Sequence, residues 1–441
     1  MNKTRLIVYP SLFIIFGLYW YYVIEGNPIQ RSDKYETTPV SQGLKAYHAK
    51  NYTVAIPILV ENSELGNVKA QYTLGLMYDR GEYFDHDANK AIELWGKAAN
   101  QGYWRAEYAL GQMLLEGRGV KKNGSEGFKW IHKAAVQGIS IAQYGVGLSY
   151  QRGDGISPDQ DKAYYWFEKA ASQNNTSAIY ALGYMNQLGL GIPPSYSKAI
   201  EWYTKGAELD DATSMYVLGG MYLNGDGAPL DNSLAIDWFT KAAQKNYMPA
   251  QNRLGLIYKN GLIVTKDDGL ALEWFLKAAN QGDAESQYFY GLMAMLGRGT
   301  ENNINTAVEW LTKSANQSHP ESLFVLSGIY FYGLDGIEKN YQTSAKWLKL
   351  SAEKNNSKSQ FLMGLSFLKG LGVVKNKQTA FIWIQKAAIQ NNPEAQVLLG
   401  LMYQEGVGVH KDITLAKGWL KKSAKQGNQR AIDNLIKMHV D

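Results

Sequence analysis

From residue 70 onward, apolar positions recur at two nested periods. Within short stretches they fall at helical spacing, and the stretches themselves return about every 36 residues. The run Ala70-Gln-Tyr-Thr-Leu74-Gly75-Leu-Met-Tyr78 returns as Ala106…Leu110-Gly111, Ala142…Val146-Gly147, Ala178…Leu182-Gly183, Ser214…Leu218-Gly219 and Ala250…Leu254-Gly255. It continues as Ser286…Tyr290-Gly291, Ser322…Leu326-Ser327, Ser359…Met363-Gly364 and Ala395…Leu399-Gly400. These are copies 1 to 10, spanning residues 70–430. One step, from Ser322 to Ser359, is 37 residues long. Residues 41–69 read as a divergent capping half-repeat, and 431–441 as a further first helix that caps the C-terminal end.

Each copy reads as two helices. In the first, Ala70, Leu74, Gly75 and Tyr78 share one face. A glycine turn follows, as in Gly117-Arg-Gly119 or Gly406-Val-Gly408, where two glycines permit positive φ past a helix end. The extra residue of the long step falls in this turn, Gly333-Leu-Asp-Gly336, so the helices on either side keep their register. The second helix carries alanine, tryptophan and Lys-Ala-Ala, as in Ala163…Trp166…Lys169-Ala170-Ala171. Nine of the twelve tryptophans hold this one position, and Trp95 is displaced by one. A single helix pair cannot bury its apolar face, so stacked copies are expected to share a core filled by the tryptophans.

The pattern A-x-x-x-L-G-x-x-Y, a G-x-G turn and A-x-x-W-x-x-K-A-A at a 36-residue period resembles the Sel-1-like repeat family, a relative of the tetratricopeptide repeats. The resemblance implies an all-α fold: a right-handed superhelical solenoid whose first helices line a concave groove. It also implies protein–protein interaction rather than catalysis. Ser327 in place of the first-helix glycine, Gly261-Leu-Ile263 in place of G-x-G, and Leu350 within Lys-Ala-Ala depart from the pattern locally.

Ahead of the repeats, Leu6–Ile24 is a run of 19 residues without a charge. As a helix it nearly crosses a hydrocarbon core of about 30 Å. Lys3 and Arg5 precede it, and Tyr19, Trp20, Tyr21 and Tyr22 lie near its far end, where an aromatic belt is expected. The reading is one N-terminal transmembrane signal anchor over 6–24, with residues 1–5 as a cytoplasmic tip and 25–40 as a linker. The repeats are then expected in the periplasm, anchored at the inner membrane. Cleavage, which would leave a periplasmic or secreted chain, is the alternative, although bulky Tyr21-Tyr22-Val23-Ile24 lacks the small residues of a cleavage site.

Composition narrows the chemistry. The absence of cysteine excludes a thiol nucleophile and a cysteine-ligated metal. A net charge of +5 from 45 basic and 40 acidic residues does not suggest a nucleic-acid partner. Six dispersed histidines show no metal-ligand spacing, and Asp85-His86-Asp87 reads as a solvated turn. Gly153-Asp-Gly155 with Asp159 and Asp161 lacks the spacing of a calcium loop. No phosphate loop and no nucleophile–base pair can be nominated, so neither cofactor nor catalysis is expected.

A protein partner is expected where copies differ at exposed positions. By the resemblance, groove-facing positions fall two, six, nine and ten residues after each copy's start. The first holds Tyr72, Tyr108, Tyr144, Tyr180, Tyr216 and Tyr288, with Phe324 and Phe361. These rings either meet a partner or pack against neighbouring copies. The later positions are polar in copies 1 to 3, with Asp79, Arg80, Glu116, Gln151 and Arg152. They turn apolar in copies 7 to 9, with Met295, Leu296, Phe331, Tyr332 and Leu368. That stretch is either an exposed interaction patch or a core repacked around the long turn. The function expected is a membrane-anchored interaction scaffold. More specific versions are an immunity protein that neutralises a periplasmic toxin such as a phospholipase, or an assembly factor of an envelope or secretion complex. A role in quality control in the endoplasmic reticulum, with Asn51 or Asn123 glycosylated, ranks below these.

Overall fold

The structure is a computed structural model that describes residues 39–440. Those residues form twenty-three helices and no strand, an all-helical solenoid of stacked helix pairs. The apolar run Leu6–Ile24, the tip before it and most of the linker lie outside the described residues. No helix among the described residues is long and apolar enough to cross a membrane. Backbone packing divides the chain into two compact units, one ending at Lys241 and one beginning at Ala242. Within each, a helix packs on the one before it and the one after it in the chain.

Local chemistry sets the helix ends. Asp87, Asn123, Asp159 and their equivalents up to Asp412 sit just before the second helices and accept backbone N–H groups from the first turn. Each such cap stabilises its helix by about 1 kcal/mol. The first helices end at glycines in the left-handed region, such as Gly117, which donates to the Met113 carbonyl. Ahead of copy 1, residues Pro39–His48 and Tyr52–Glu64 form a helix pair of their own, with Ala55 fully buried at the position equivalent to Ala91.

The centre of each helix pair lies one residue beyond the expected tryptophan column. Trp130, Trp166, Trp202 and the other tryptophans of that column are half-buried. The fully buried side chains are the next residues: Phe167, Tyr203, Phe239 and Phe275, with Ile131, Leu311, Ile384 and Leu420 in other copies. Trp95, displaced by one in the sequence, lands on this core position and is 0% exposed. Each of these side chains lies over the first-helix glycine of its own copy. A Cβ added at Gly183 would sit 2.6 Å from Tyr203 Cε1, and one at Gly219 would sit 2.7 Å from Phe239 Cδ1. The L-G of the repeat is therefore a socket for the second-helix side chain. The tryptophans pack half-buried against the edges of the core clusters, and apart from Trp347, where Leu350 replaces the lysine, each has a lysine amine over its ring: Lys133 over Trp130 at 3.8 Å, Lys313 over Trp310 at 3.9 Å, Lys422 over Trp419 at 4.1 Å.

Copy 8 lacks both the socket glycine and the alanine opposite it, and the two changes compensate. Ser344 stands in the alanine position and donates to the Ser327 carbonyl over 2.7 Å. Ser327 turns its own hydroxyl back to the Phe324 carbonyl, also at 2.7 Å. Both serines are buried with their hydroxyls hydrogen-bonded.

A second polar device ties the helix ends. Gln143 donates to the Ala135 carbonyl at the end of the preceding second helix and accepts from Gln173 over 2.9 Å at the end of its own. Gln251, Gln287, Gln360 and Gln396 do the same with Gln281, Gln317, Gln390 and Gln426. Where the inner position is apolar, as at Ile179, Met215 and Leu323, the outer one is Leu209, Lys245 or Lys354. A buried amide needs its partner and an apolar side chain does not, so the two positions change together.

Candidate protein-binding cleft

The first helices of copies 2 and 3, Trp104–Glu116 and Ser140–Arg152, frame a cleft of about 260 Å³. Its walls include Tyr108 and Tyr144 at the second position after each start, Gln112 and Leu148 at the sixth, Leu115 at the ninth, and Glu116 and Arg152 at the tenth. The expected groove-facing positions thus converge here from two helices. Gln112 Nε2 donates to the Tyr108 hydroxyl over 2.6 Å, which fixes both side chains.

Gly145 lies in the floor and lets Ile131 and Tyr108 approach its backbone closely. Every other copy carries a side chain at this place, such as Ala109, Ala181 or Phe289. A Cβ at Gly145 would sit 3.1 Å from Ile131 Cγ2 and 3.4 Å from Tyr108 Cε2. The lone glycine among ten copies was the signal available in the sequence, and the groove positions alone do not find it. Ile131, Ile141, Ser149, Lys122 and Asp154 complete the lining from positions outside the expected set.

The rim carries charges of both signs: Glu116, Lys122, Arg152 and Asp154. Next to it Arg118 lies 3.4 Å from Asp79 and 3.7 Å from Glu116. Burial raises the Asp79 carboxyl above its ordinary value, and Arg118, His86 and Arg80 pull it back down. The arrangement offers an apolar aromatic floor flanked by cations and anions, suited to a polypeptide segment. It offers no nucleophile paired with a base.

The remaining predicted residues separate by environment. Tyr72, Tyr108 and Tyr216 are all buried; Tyr72 and Tyr216 set their rings against Trp95 at 6.5 Å and Phe239 at 5.5 Å, and of the three Tyr108 borders the cleft, where the half-buried Tyr144 shows more of its ring. Tyr180 and Tyr288 are half-buried, against Tyr203 at 5.7 Å and His319 at 5.0 Å. Phe324 and Phe361 are half-buried as well. In copies 7 to 9, Met295 and Leu368 pack at the edges of core clusters, while Leu296 is exposed. Phe331 packs between Tyr332 and Tyr341 at 5.0 and 5.2 Å, and Tyr332 is 70% exposed. No group of three or more His, Cys, Asp or Glu among the described residues is placed to hold a metal. Asp87 and Asp159, from the two polar motifs weighed for metal binding, are helix caps.

The family model described as Sel1 repeat matches ten consecutive segments: 68–103, 104–139, 140–175, 176–211, 212–247, 249–283, 284–319, 320–356, 357–392 and 393–428. The chain belongs to the Sel1 repeat family. Among solved structures it is similar to c5321, a protective antigen of uropathogenic Escherichia coli displaying an SLR fold. That pair shares 35% identity and a TM-score of 0.58 over 90% of this chain and 86% of the other. A Sel1 repeat protein from Oxalobacter formigenes is 28% identical, with a TM-score of 0.47 over 79% and 90% of the two chains. The immunity protein Pa5087 from Pseudomonas aeruginosa is 22% identical, with a TM-score of 0.30 over 48% and 81%. Comparison with curated proteins returns no match. A Sel1 repeat solenoid points to a protein partner.

Proposed function

We propose that this Sel1 repeat chain is a non-enzymatic interaction scaffold that seats an extended segment of a partner protein between the first helices of copies 2 and 3. The observation that carries the reading is the cleft itself, floored by Tyr108, Tyr144 and Gly145 and rimmed by Glu116, Lys122 and Arg152. Aromatic rings with polar tips suit such contacts, and the mixed rim selects a partner by charge pattern. In this reading Leu6–Ile24 tethers the chain to a membrane, with the repeats on the far side from Lys3 and Arg5.

The test is site-specific photo-cross-linking in cells that carry the full chain. A photoreactive residue at Gln112 faces the cleft, and one at Glu309 lies on an exposed second-helix position. The reading expects one discrete adduct from position 112 and none of that mass from 309. Equal adducts from both, or none from 112, would overturn it. The identity of the cross-linked protein then separates a toxin from a component of an envelope or secretion complex.

A further inference from the structure

The net charge of +5 conceals a strong asymmetry along the chain. Residues 339–441 carry sixteen Lys and Arg against six Asp and Glu, whereas residues 39–338 carry twenty-five against thirty-one. The change is sharpest at one repeated position, the exposed residue just before the tryptophan. In copies 4 to 7 it is acidic: Glu201, Asp237, Glu273 and Glu309. In copies 8 to 10 it becomes Lys346, Ile382 and Gly418. The acid of copies 4 to 7 is absent there, as it is at Lys129 and Tyr165 of copies 2 and 3.

The same second helices also expose apolar side chains. Leu350 stands where the lysine of Lys-Ala-Ala is expected and is 46% exposed, while Ile382 is 50% and Ile389 64% exposed. Lys346, Lys386, Lys421 and Lys422 are exposed among them, with Lys349, which pairs with Glu353 at 3.8 Å. In copy 9, Trp383, Lys386 and Ile389 border an open depression of about 460 Å³ that Gln360, Gln390, Asn355 and one carboxylate, Glu353, also line. Lys386 Nζ lies 4.6 Å from the Trp383 ring centroid. Cations interleaved with exposed aliphatic residues and a half-buried tryptophan make a surface that suits a lipid interface. There, amines meet phosphate and aliphatic side chains enter the acyl boundary.

We infer that the second-helix face of copies 8 to 10 docks on an anionic phospholipid surface. The complement is electrostatic first: a lysine near such a surface contributes enough that four of them change partition by about 100-fold or more. Ile382 and Ile389 then add apolar side chains of a length to enter the acyl boundary, which a nucleic acid does not need. This inference is independent of the cleft in copies 2 and 3.

The chain has no cysteine, so Ile389→Cys carries a single environment-sensitive fluorophore. The labelled full-length chain is reconstituted into vesicles of phosphatidylcholine alone or with about one-third phosphatidylglycerol. A tether through the N-terminal run is common to both compositions, so only docking of this face separates them. Fluorophore blue shift and quenching by spin-labelled lipid are expected with phosphatidylglycerol alone, and raised salt should reverse them. Lys346→Glu, Lys386→Glu, Lys421→Glu and Lys422→Glu combined should lower docking by about 100-fold with the helical circular dichroism unchanged. Equal quenching in both lipids, quenching that survives the charge reversal, or no quenching in either would overturn the inference. Salt-sensitive binding of a polyglutamate peptide or duplex DNA without any vesicle response would overturn it too, by assigning the face to another class of partner.

Discussion

Gln137 donates from Nε2 to Glu107 Oε2 over 2.7 Å, at a junction where six other copies pair glutamine with glutamine. Glu107 is buried, and loss of solvent raises its carboxyl above the ordinary value against a smaller opposing pull from Lys133. An acid raised in this way binds its proton more tightly in the folded chain. Its contribution is most favourable below the unfolded value and is lost as pH rises through the folded one. Glu107→Gln should therefore stabilise the chain by about 1 kcal/mol at neutral pH, with the gain shrinking toward acid pH. Urea denaturation at two pH values measures it. A variant less stable than the parent at neutral pH would contradict the assignment.

The socket account predicts opposite signs for two glycines of copy 1. A Cβ at Gly75 runs into the Trp95 indole, whereas one at Gly96 meets nothing within 4 Å. Gly75→Ala should cost about 1–3 kcal/mol through overpacking. Gly96→Ala should add about 0.5–1 kcal/mol through a stiffer unfolded chain. Thermal melting of both variants decides, and equal effects would refute the socket.

Two tryptophans should differ as much as their burial. Trp95 is fully enclosed and donates Nε1–H to the Tyr72 carbonyl at 3.1 Å. Trp95→Ala is expected to cost about 3–5 kcal/mol. Trp310 is half-buried under the Lys313 amine, so Trp310→Ala should cost less than about half as much. Equilibrium unfolding of the two variants gives the ratio.

Adjacent aromatics at the long turn separate in the same way. Tyr332→Ala removes a side chain that is 70% exposed and should leave melting unchanged within about 0.5 kcal/mol. Phe331→Ala removes the ring packed on Tyr341 and should cost about 1–2 kcal/mol. A large loss from Tyr332→Ala would show that its ring supports the turn.

Much of the fold was readable from residues 70–430 because a 36-residue period exposes every structural position ten times. The helix pairs, the glycine turns and the place of the extra residue follow from that period. The tryptophan column misled because size suggested the core, whereas repetition marks only a shared environment. The buried position varies among Ile131, Phe167, Tyr203 and Leu311, since any large apolar side chain fills the space over a glycine. Trp95 was the clue, as the one tryptophan out of register. The cleft was half-readable: the spacing of Tyr108, Gln112, Glu116, Tyr144, Leu148 and Arg152 puts them on facing helices. Its floor also needs Gly145, whose missing side chain lets Ile131 and Tyr108 come close, and a missing side chain carries no binding signal of its own. The glutamine pairs also recur in the sequence at a spacing of 30, outside the helical period because the second member lies beyond its helix end.

The central claim is that copies 2 and 3 bind a protein through their first helices. The most direct measurement is the dissociation constant of the partner captured from position 112, titrated against the parent chain, Arg152→Glu at the cleft rim and Lys313→Glu on a second helix. The account predicts binding at least about tenfold weaker for Arg152→Glu, unchanged binding for Lys313→Glu, and similar melting for all three. Unchanged affinity for Arg152→Glu, or equal loss from both variants, would contradict it.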